Sequence, residues 1–233
     1  MKLISRIFTV LAVVLFVSCG GDDEGSPAVG GGDDGGPTAS ATYEVTFTPN
    51  FTAETHPTDY PSNAIFGPIL AIAHAPGVSV FKLGQVASEA FKGYAENGDA
   101  DALATVLTTG VDGMEVTTMI FSGGSTGPTT ADALSVNVTP TNTRITFIAR
   151  LSPSPDWFVG VDSFDVVAAD GISLVESAEF SLSALDAGTD SGATYNSPDE
   201  PTTGGTIRVI NDAPFGNGGL TAALGSIRFE RSN

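Results

Sequence analysis

The chain has few of the residues that carry most catalytic and metal chemistry in proteins. Its 233 residues include one cysteine, two histidines and one tryptophan, and only nine lysines and arginines against 27 aspartates and glutamates. A single cysteine excludes an intramolecular disulfide, and two histidines in separate segments do not make a zinc site. The net charge of −18 at pH 7 repels phosphate, so no nucleic acid partner is expected.

Sequence motifs also give little support for nucleophilic catalysis or for phosphate binding. The glycine-rich segment 122–127 includes a G-x-S-x-G match, but it lacks the lysine of a phosphate loop and precedes Pro128, so it is interpreted as a surface loop. We therefore predict that the chain is not an enzyme. Paired carboxylates for glycoside hydrolysis remain an open alternative in so acidic a chain.

The first 18 residues have the order of a secretory leader. Two basic residues precede the apolar run 7–17, and Ser18 comes directly before Cys19. The run is shorter than the roughly 20 residues that span a bilayer, and the segment ending at the cysteine resembles a bacterial lipobox. Residues 1–18 are therefore predicted to be a lipoprotein signal peptide, with Cys19 as the lipidated residue that anchors the protein to a membrane.

Residues 19–40 are predicted to be a flexible tether that begins with the lipidated cysteine. Glycine, aspartate, proline, serine and alanine dominate this segment, which has no aromatic residue and no periodicity. Its acidic cluster at 22–24 resembles those of surface-exported lipoproteins in Gram-negative bacteria. The predicted location is the bacterial cell envelope, as an outer-membrane lipoprotein exposed at the surface.

Residues 41–233 are predicted to form a single β-rich domain. Tyr43, Val45 and Phe47 alternate with polar residues at the period of a half-buried strand. Other alternating or β-branched runs are bounded by glycine, proline, asparagine or aspartate, and they occupy residues 116–121, 134–138, 144–151, 157–162, 173–182, 206–210 and 225–230.

Two segments, 84–97 and 100–108, have helical spacing, and Asp99 is placed to cap the second. The predicted fold is all-β, an antiparallel β-sandwich with one short helical excursion.

Three aspartates are candidates for a metal site. Asp186 and Asp190 are four residues apart in a segment rich in glycine and hydroxyl residues, and Asp156 comes from another block. Calcium takes six to eight oxygen ligands, which carboxylates and loop carbonyls can supply. From the residues alone, a pair of aspartates at this spacing is more often one that stabilises a turn, and only the family resemblance given below favours the metal site.

Two blocks of sequence carry a family resemblance. Residues 152–163 read SPSPDWFVGVDS and residues 186–192 read DAGTDSG, and together they resemble the N-terminal module of the spondins. Further agreement runs in order from Tyr43 to Thr202. Vertebrate members of the family carry cysteines where this chain has Val166 and Val167.

The resemblance implies that Asp156, Asp186 and Asp190 bind Ca²⁺ and that the protein acts in extracellular recognition or adhesion. Its partner would be an extracellular glycan, a glycolipid, or a matrix or cell-surface protein. Trp157 is interpreted as a packing residue, with ligand recognition as the alternative. Asp162 either supports the metal ligands from behind or faces outward from its strand. A surface-anchored glycan hydrolase and a structural spacer of the envelope are the competing functions.

Overall fold

The computed structural model describes residues 36–37, 39–109, 118–216 and 221–232, and for residues 118–122 only the backbone is considered. The predicted leader 1–18, Cys19 and most of the tether lie outside these ranges. Within them, no helix has the length and apolar character needed to cross a bilayer.

The described residues form ten strands and two helices. The strands are β1 (Ala41–Pro49), β2 (Ile65–His74), β3 (Thr118–Gly123), β4 (Asp132–Val138), β5 (Arg144–Ser152), β6 (Trp157–Asp165), β7 (Ser177–Leu182), β8 (Leu185–Asp186), β9 (Arg208–Val209) and β10 (Gly225–Arg231), and the helices are α1 (Glu89–Asn97) and α2 (Ala100–Thr109).

Two antiparallel sheets build the fold. One has the order β4-β1-β10-β7 and the other has the order β3-β2-β5-β6-β8-β9. The predicted all-β sandwich is confirmed, and the helical excursion consists of two short helices.

Each face of the six-stranded sheet covers a separate apolar core. The first core lies between the sheets, where Phe47 of β1 contacts Phe147 of β5 at a centroid distance of 5.3 Å. The second lies under the helices, where Phe158 of β6 packs edge-on against Phe91 of α1 at 5.0 Å. Burial on both faces fixes β5 and β6, and therefore the turn between them.

The predicted helix 84–97 was too long at its start. Helix α1 begins at Glu89, because Ser88 is its N-cap and accepts a hydrogen bond from the Phe91 N–H. Gly84 has a φ of +80°, which is incompatible with a helix. The second helix agrees with the prediction, and the Asp99 carboxylate accepts from the Ala102 N–H at 3.1 Å.

Strand β2 was not predicted, although it lies between β3 and β5. Residues 69–73 contribute alternately to the two cores, and all six residues from 69 to 74 are buried, so no exposed positions alternate with them. A strand buried on both sides reads as a continuous apolar run, which periodicity alone does not distinguish from a helix.

The last part of the six-stranded sheet is made of very short strands. The predicted strand 206–210 shortens to β9. In the four-stranded sheet, the predicted strand 173–182 is also shorter, since β7 begins only at Ser177. Asp186, expected in a loop, belongs to β8, where it lies opposite Trp157 of β6 and Arg208 of β9. This register brings two of the predicted site residues together.

Candidate metal site

Asp156 lies in the turn that joins β5 to β6. The Ser154 hydroxyl organises this turn by accepting from the Trp157 N–H at 3.1 Å and donating to the Leu151 carbonyl at 2.6 Å. The Asp156 side chain therefore points inward, and the residue has no exposed surface.

The two carboxylate oxygens of Asp156 have very different surroundings. Oδ2 accepts from the Thr189 N–H at 2.7 Å, the Thr189 hydroxyl at 3.1 Å and the Asp190 N–H at 3.1 Å. Oδ1 is buried and has no hydrogen-bond partner in the part of the chain that the structure describes. A buried carboxylate oxygen without a donor is costly unless something positive faces it.

Asp186 lies beside this carboxylate. Its Oδ1 accepts from the Gly188 N–H at 2.6 Å, and its Oδ2 accepts from Nη2 of Arg208 at 2.5 Å. Burial, and then the negative charge of Asp186, raise the pKa of Asp156 to about 6 against the hydrogen bonds from Thr189 and Asp190. Two neighbouring carboxylates in a dry setting favour the binding of a cation.

Asp190 lies near the end of the loop 186–192, and its carboxylate accepts hydrogen bonds from backbone N–H groups. Its Oδ1 accepts from the Gly192 N–H at 2.7 Å, and its Oδ2 faces the Glu200 N–H at 3.4 Å. The backbone N–H of Asp190 reaches Asp156, so the loop that carries Asp190 closes over the β5–β6 turn.

Close backbone contact holds the loop 186–192 against residues 202–206. Gly188 has a φ of +74°, and a Cβ there would lie 2.7 Å from the Thr206 nitrogen. The Gly188 carbonyl accepts from the Thr202 hydroxyl at 2.7 Å. Only a glycine permits both the left-handed backbone and this approach.

The structure thus brings Asp156, Asp186 and Asp190 into one cluster of loops, but each carboxylate serves local donors. Across the described residues, no group of three or more histidine, cysteine, aspartate or glutamate side chains converges closely enough to hold a metal ion as arranged. The feature that fits a cation is narrower: Oδ1 of Asp156, facing no donor, with Asp186 beside it.

Trp157 and Asp162 lie on the same strand but have separate roles. Trp157 is only 3% exposed and packs edge-on against Phe215 and Tyr195 at 5.1 and 5.2 Å, which is the packing role predicted for it. Asp162 is five residues further along β6, roughly 16 Å away at about 3.3 Å per residue. Its Oδ1 accepts from the Ser163 hydroxyl on its own strand, which favours the alternative in which Asp162 is a strand residue without a role at the metal ligands.

A polar cleft of about 640 Å³ opens next to the cluster. Asp186, Asp190, Arg208 and Asp212 line it together with hydroxyl residues that include Thr202 and Thr206. Sequence reasoning missed Arg208, because a two-residue strand is too short for its pattern to show which residue lies opposite Asp186.

The sequence of this chain is similar to those of known proteins. A family model described as Spondin_N matches residues 41–214. Spondin-2 of Homo sapiens is 34% identical over 171 residues, which cover 70% of this chain and 50% of that protein. Spondin-1 of Rattus norvegicus is 32% identical over 170 residues, which cover 70% of this chain and 21% of that protein. The chain thus spans half or less of the length of these relatives. It belongs to the spondin N-terminal domain family.

Proposed function

We propose that this protein is a calcium-binding recognition or adhesion domain held at the bacterial cell surface by a lipid on Cys19. The observation that carries the calcium proposal is the buried Oδ1 of Asp156, which has no donor among the described residues and lies beside the charge of Asp186. A bound cation would satisfy this oxygen and offset the repulsion between the two carboxylates.

The chemistry of the donors favours calcium over other common metals. The candidate ligands Asp156, Asp186 and Asp190 are all carboxylates, in loops whose carbonyls can complete a shell of six to eight oxygens. Calcium tolerates irregular geometry, whereas magnesium requires a near-ideal octahedron. Such an ion would fix the β5–β6 turn and the loop 186–192 relative to each other.

Recognition would take place at the loop end of the sandwich. The polar cleft beside the aspartates has the hydroxyl and carboxylate lining that suits a glycan, a glycolipid headgroup or a polar protein loop. The net charge of −18 disfavours nucleic acid and anionic membrane surfaces as partners. Membership of the spondin N-terminal domain family supports an extracellular role.

Surface anchoring follows from the leader and the tether. Lipidation of Cys19 explains the single cysteine of an exported chain better than a free thiol does. A tether of about 20 residues would hold the domain away from the headgroups. Radiolabelled palmitate incorporation that is lost on Cys19→Ala would support this, and incorporation in the variant would contradict it.

A surface glycan hydrolase is the second candidate, because the pKa of Asp156 is raised to about 6, as a general acid requires. The side chain has no exposed surface and Oδ2 is held by three donors, so a substrate does not reach it. We therefore propose a binding domain rather than an enzyme. Glycan turnover that Asp156→Asn abolishes would reverse this choice.

The decisive test is the melting temperature of the full chain in excess EDTA and then in millimolar calcium. Calcium should raise it by several degrees, because the ion binds the folded state alone. Magnesium at the same concentration should raise it much less. No shift, and no heat of calcium binding, would contradict the calcium proposal and leave a structural spacer as the simplest role.

Single substitutions should separate the three aspartates. Asp190→Asn should weaken calcium binding at least tenfold, because each charged ligand contributes strongly to affinity in such sites. Asp156→Asn should remove the calcium-induced stabilisation and have little effect on melting in EDTA, since it also removes the repulsion from Asp186. Asp101→Asn, in the exposed first turn of α2, is the matched control. Unchanged affinity would exclude the replaced residue from the site.

A further inference from the structure

Arg208 already places a positive charge on one of the proposed calcium ligands. Its Nη2 donates to Oδ2 of Asp186 at 2.5 Å, and the two residues lie directly opposite each other in the β8–β9 pair. We infer that Arg208 is the built-in counter-ion of the metal site, which competes with the cation for Asp186 and so determines the calcium concentration at which the site fills. This inference rests on the proposed calcium site.

The two partners of the ion pair differ in burial, which makes exchange feasible. The side chain of Asp186 is 8% exposed, whereas that of Arg208 is 55% exposed. Arg208 also lines the polar cleft. The guanidinium can therefore swing away from Asp186 into the cleft without opening either apolar core.

The charges around the cluster give Arg208 a clear role when no metal is bound. Burial and then the negative charge of Asp186 raise the pKa of Asp156, because neighbouring carboxylates repel each other. Asp190 and Asp212 add negative charge at the cleft, and among the described residues that line it Arg208 is the one basic side chain. The guanidinium offsets this repulsion at Asp186.

A metal ion and the guanidinium cannot both lie close to Asp186 without cost. Calcium binds carboxylate oxygen at about 2.3–2.6 Å, so a cation on Oδ2 of Asp186 would lie within about 5 Å of Nη2. Like charges at that distance repel strongly in a partly buried setting. Calcium therefore either displaces Arg208 from Asp186 or binds with a lower affinity than it would if the guanidinium were absent.

The test is calcium titration calorimetry on the EDTA-stripped full chain at fixed ionic strength, with Arg208→Gln compared with the wild type. The variant should bind calcium about tenfold more tightly. Its melting temperature in EDTA should fall, because the repulsion between Asp156 and Asp186 is then uncompensated. Arg228→Gln is the matched control, since Arg228 is an exposed arginine that pairs with Glu230 on β10. It changes the net charge equally and should alter the affinity less than twofold.

A second measurement needs no variant. In the wild-type protein, the Nε–Hε resonance of Arg208 should shift over the same calcium concentrations that fill the site, and that of Arg228 should not. Equal or weaker calcium binding by Arg208→Gln, or an Arg208 resonance that does not respond while the wild type binds calcium, would overturn the competition and leave the calcium site standing. Absence of calcium binding in both proteins would overturn both proposals.

Discussion

His74 shows how a single side chain is held by the geometry of three neighbouring strands. This residue at the end of β2 is fully buried, and its Nδ1 lies 3.0 Å from the Ala75 carbonyl, which can only accept. Nε2 is therefore the acceptor for the Thr146 hydroxyl at 2.9 Å, and that hydroxyl accepts in turn from the Ser163 N–H. The neutral imidazole makes a hydrogen bond with each of these partners. A second proton on Nε2 would remove the acceptor for the Thr146 hydroxyl and disrupt this series of hydrogen bonds.

His74→Gln gives the first prediction at this scale. Burial lowers the pKa of His74 from 6.5, and Arg144 lowers it further, although Ala75 and Asp162 act in the opposite direction. Below about pH 6.5 the unfolded wild type takes up a proton that the folded state excludes, so this part of the stability is lost as the pH falls. Urea unfolding at about pH 7.5 and about pH 5.5 should show the stability gap between wild type and variant narrowing at the lower pH.

Other groups that titrate in this range do not disturb the comparison. Protonation of Asp156, whose pKa is raised to about 6, has the opposite effect on stability, because the folded state takes up this proton more readily than the unfolded state as the pH falls. His56, whose pKa burial lowers, acts in the same direction as His74. Both are present in wild type and variant, and their effects cancel. A gap that stays constant or widens would contradict the neutral state of His74.

At the scale of elements, the shortest strands determine the geometry of the candidate site. The pairs β6–β8 and β8–β9 have two residues each, yet they set Asp186 opposite both Trp157 and Arg208. The longer strands of the two sheets would stay paired without these short strands. The close backbone contact between Gly188 and Gly205 therefore also holds the loop 186–192 against residues 202–206.

Gly204 and Gly205 offer adjacent substitutions with different expected costs. A Cβ at Gly205 would overlap the Gly188 carbonyl oxygen, whereas a Cβ at Gly204 would meet nothing, although the φ of Gly204 is +76°. Gly205→Ala should destabilise the fold by about 2–3 kcal/mol and weaken calcium binding, because the loops must separate. Gly204→Ala should cost about 1 kcal/mol from its backbone alone. Urea unfolding measures both, and equal costs would show that the close approach does not matter.

For the whole molecule, the dominant feature is the net charge of −18 of the full chain, whose described domain buries its apolar residues in two cores. Self-repulsion opposes the compact state, and a divalent cation or dissolved salt reduces it. The effect is distributed over the whole chain, unlike the local repulsion at the aspartate cluster.

Salt should therefore stabilise the metal-free protein. Raising NaCl from about 20 mM to about 300 mM in EDTA shortens the screening length to about 6 Å and should raise the melting temperature by a few degrees. The rise should be smaller in millimolar calcium. Choline chloride should act equally, which would exclude specific binding of sodium. A melting temperature that falls with salt would contradict self-repulsion as a cost to the fold.

Local patterns in the sequence were enough to determine many elements of the protein. The alternation of Tyr43, Val45 and Phe47 predicted β1, and Asp99 marked the start of α2, because both signals act within a few residues. The motifs around Asp156 and Asp186 indicated the family, which the comparisons confirm.

The tertiary structure decided the rest, because the remaining contacts join residues far apart in the chain. Strand β2 became recognisable only when cores on both of its faces explained its unbroken apolar run. The donors to Oδ2 of Asp156 come from residues more than 30 positions away, and Arg208 is 22 positions from Asp186. Which oxygen lacks a donor, and which cation faces which carboxylate, depend on strand register and loop closure, and no local pattern encodes these.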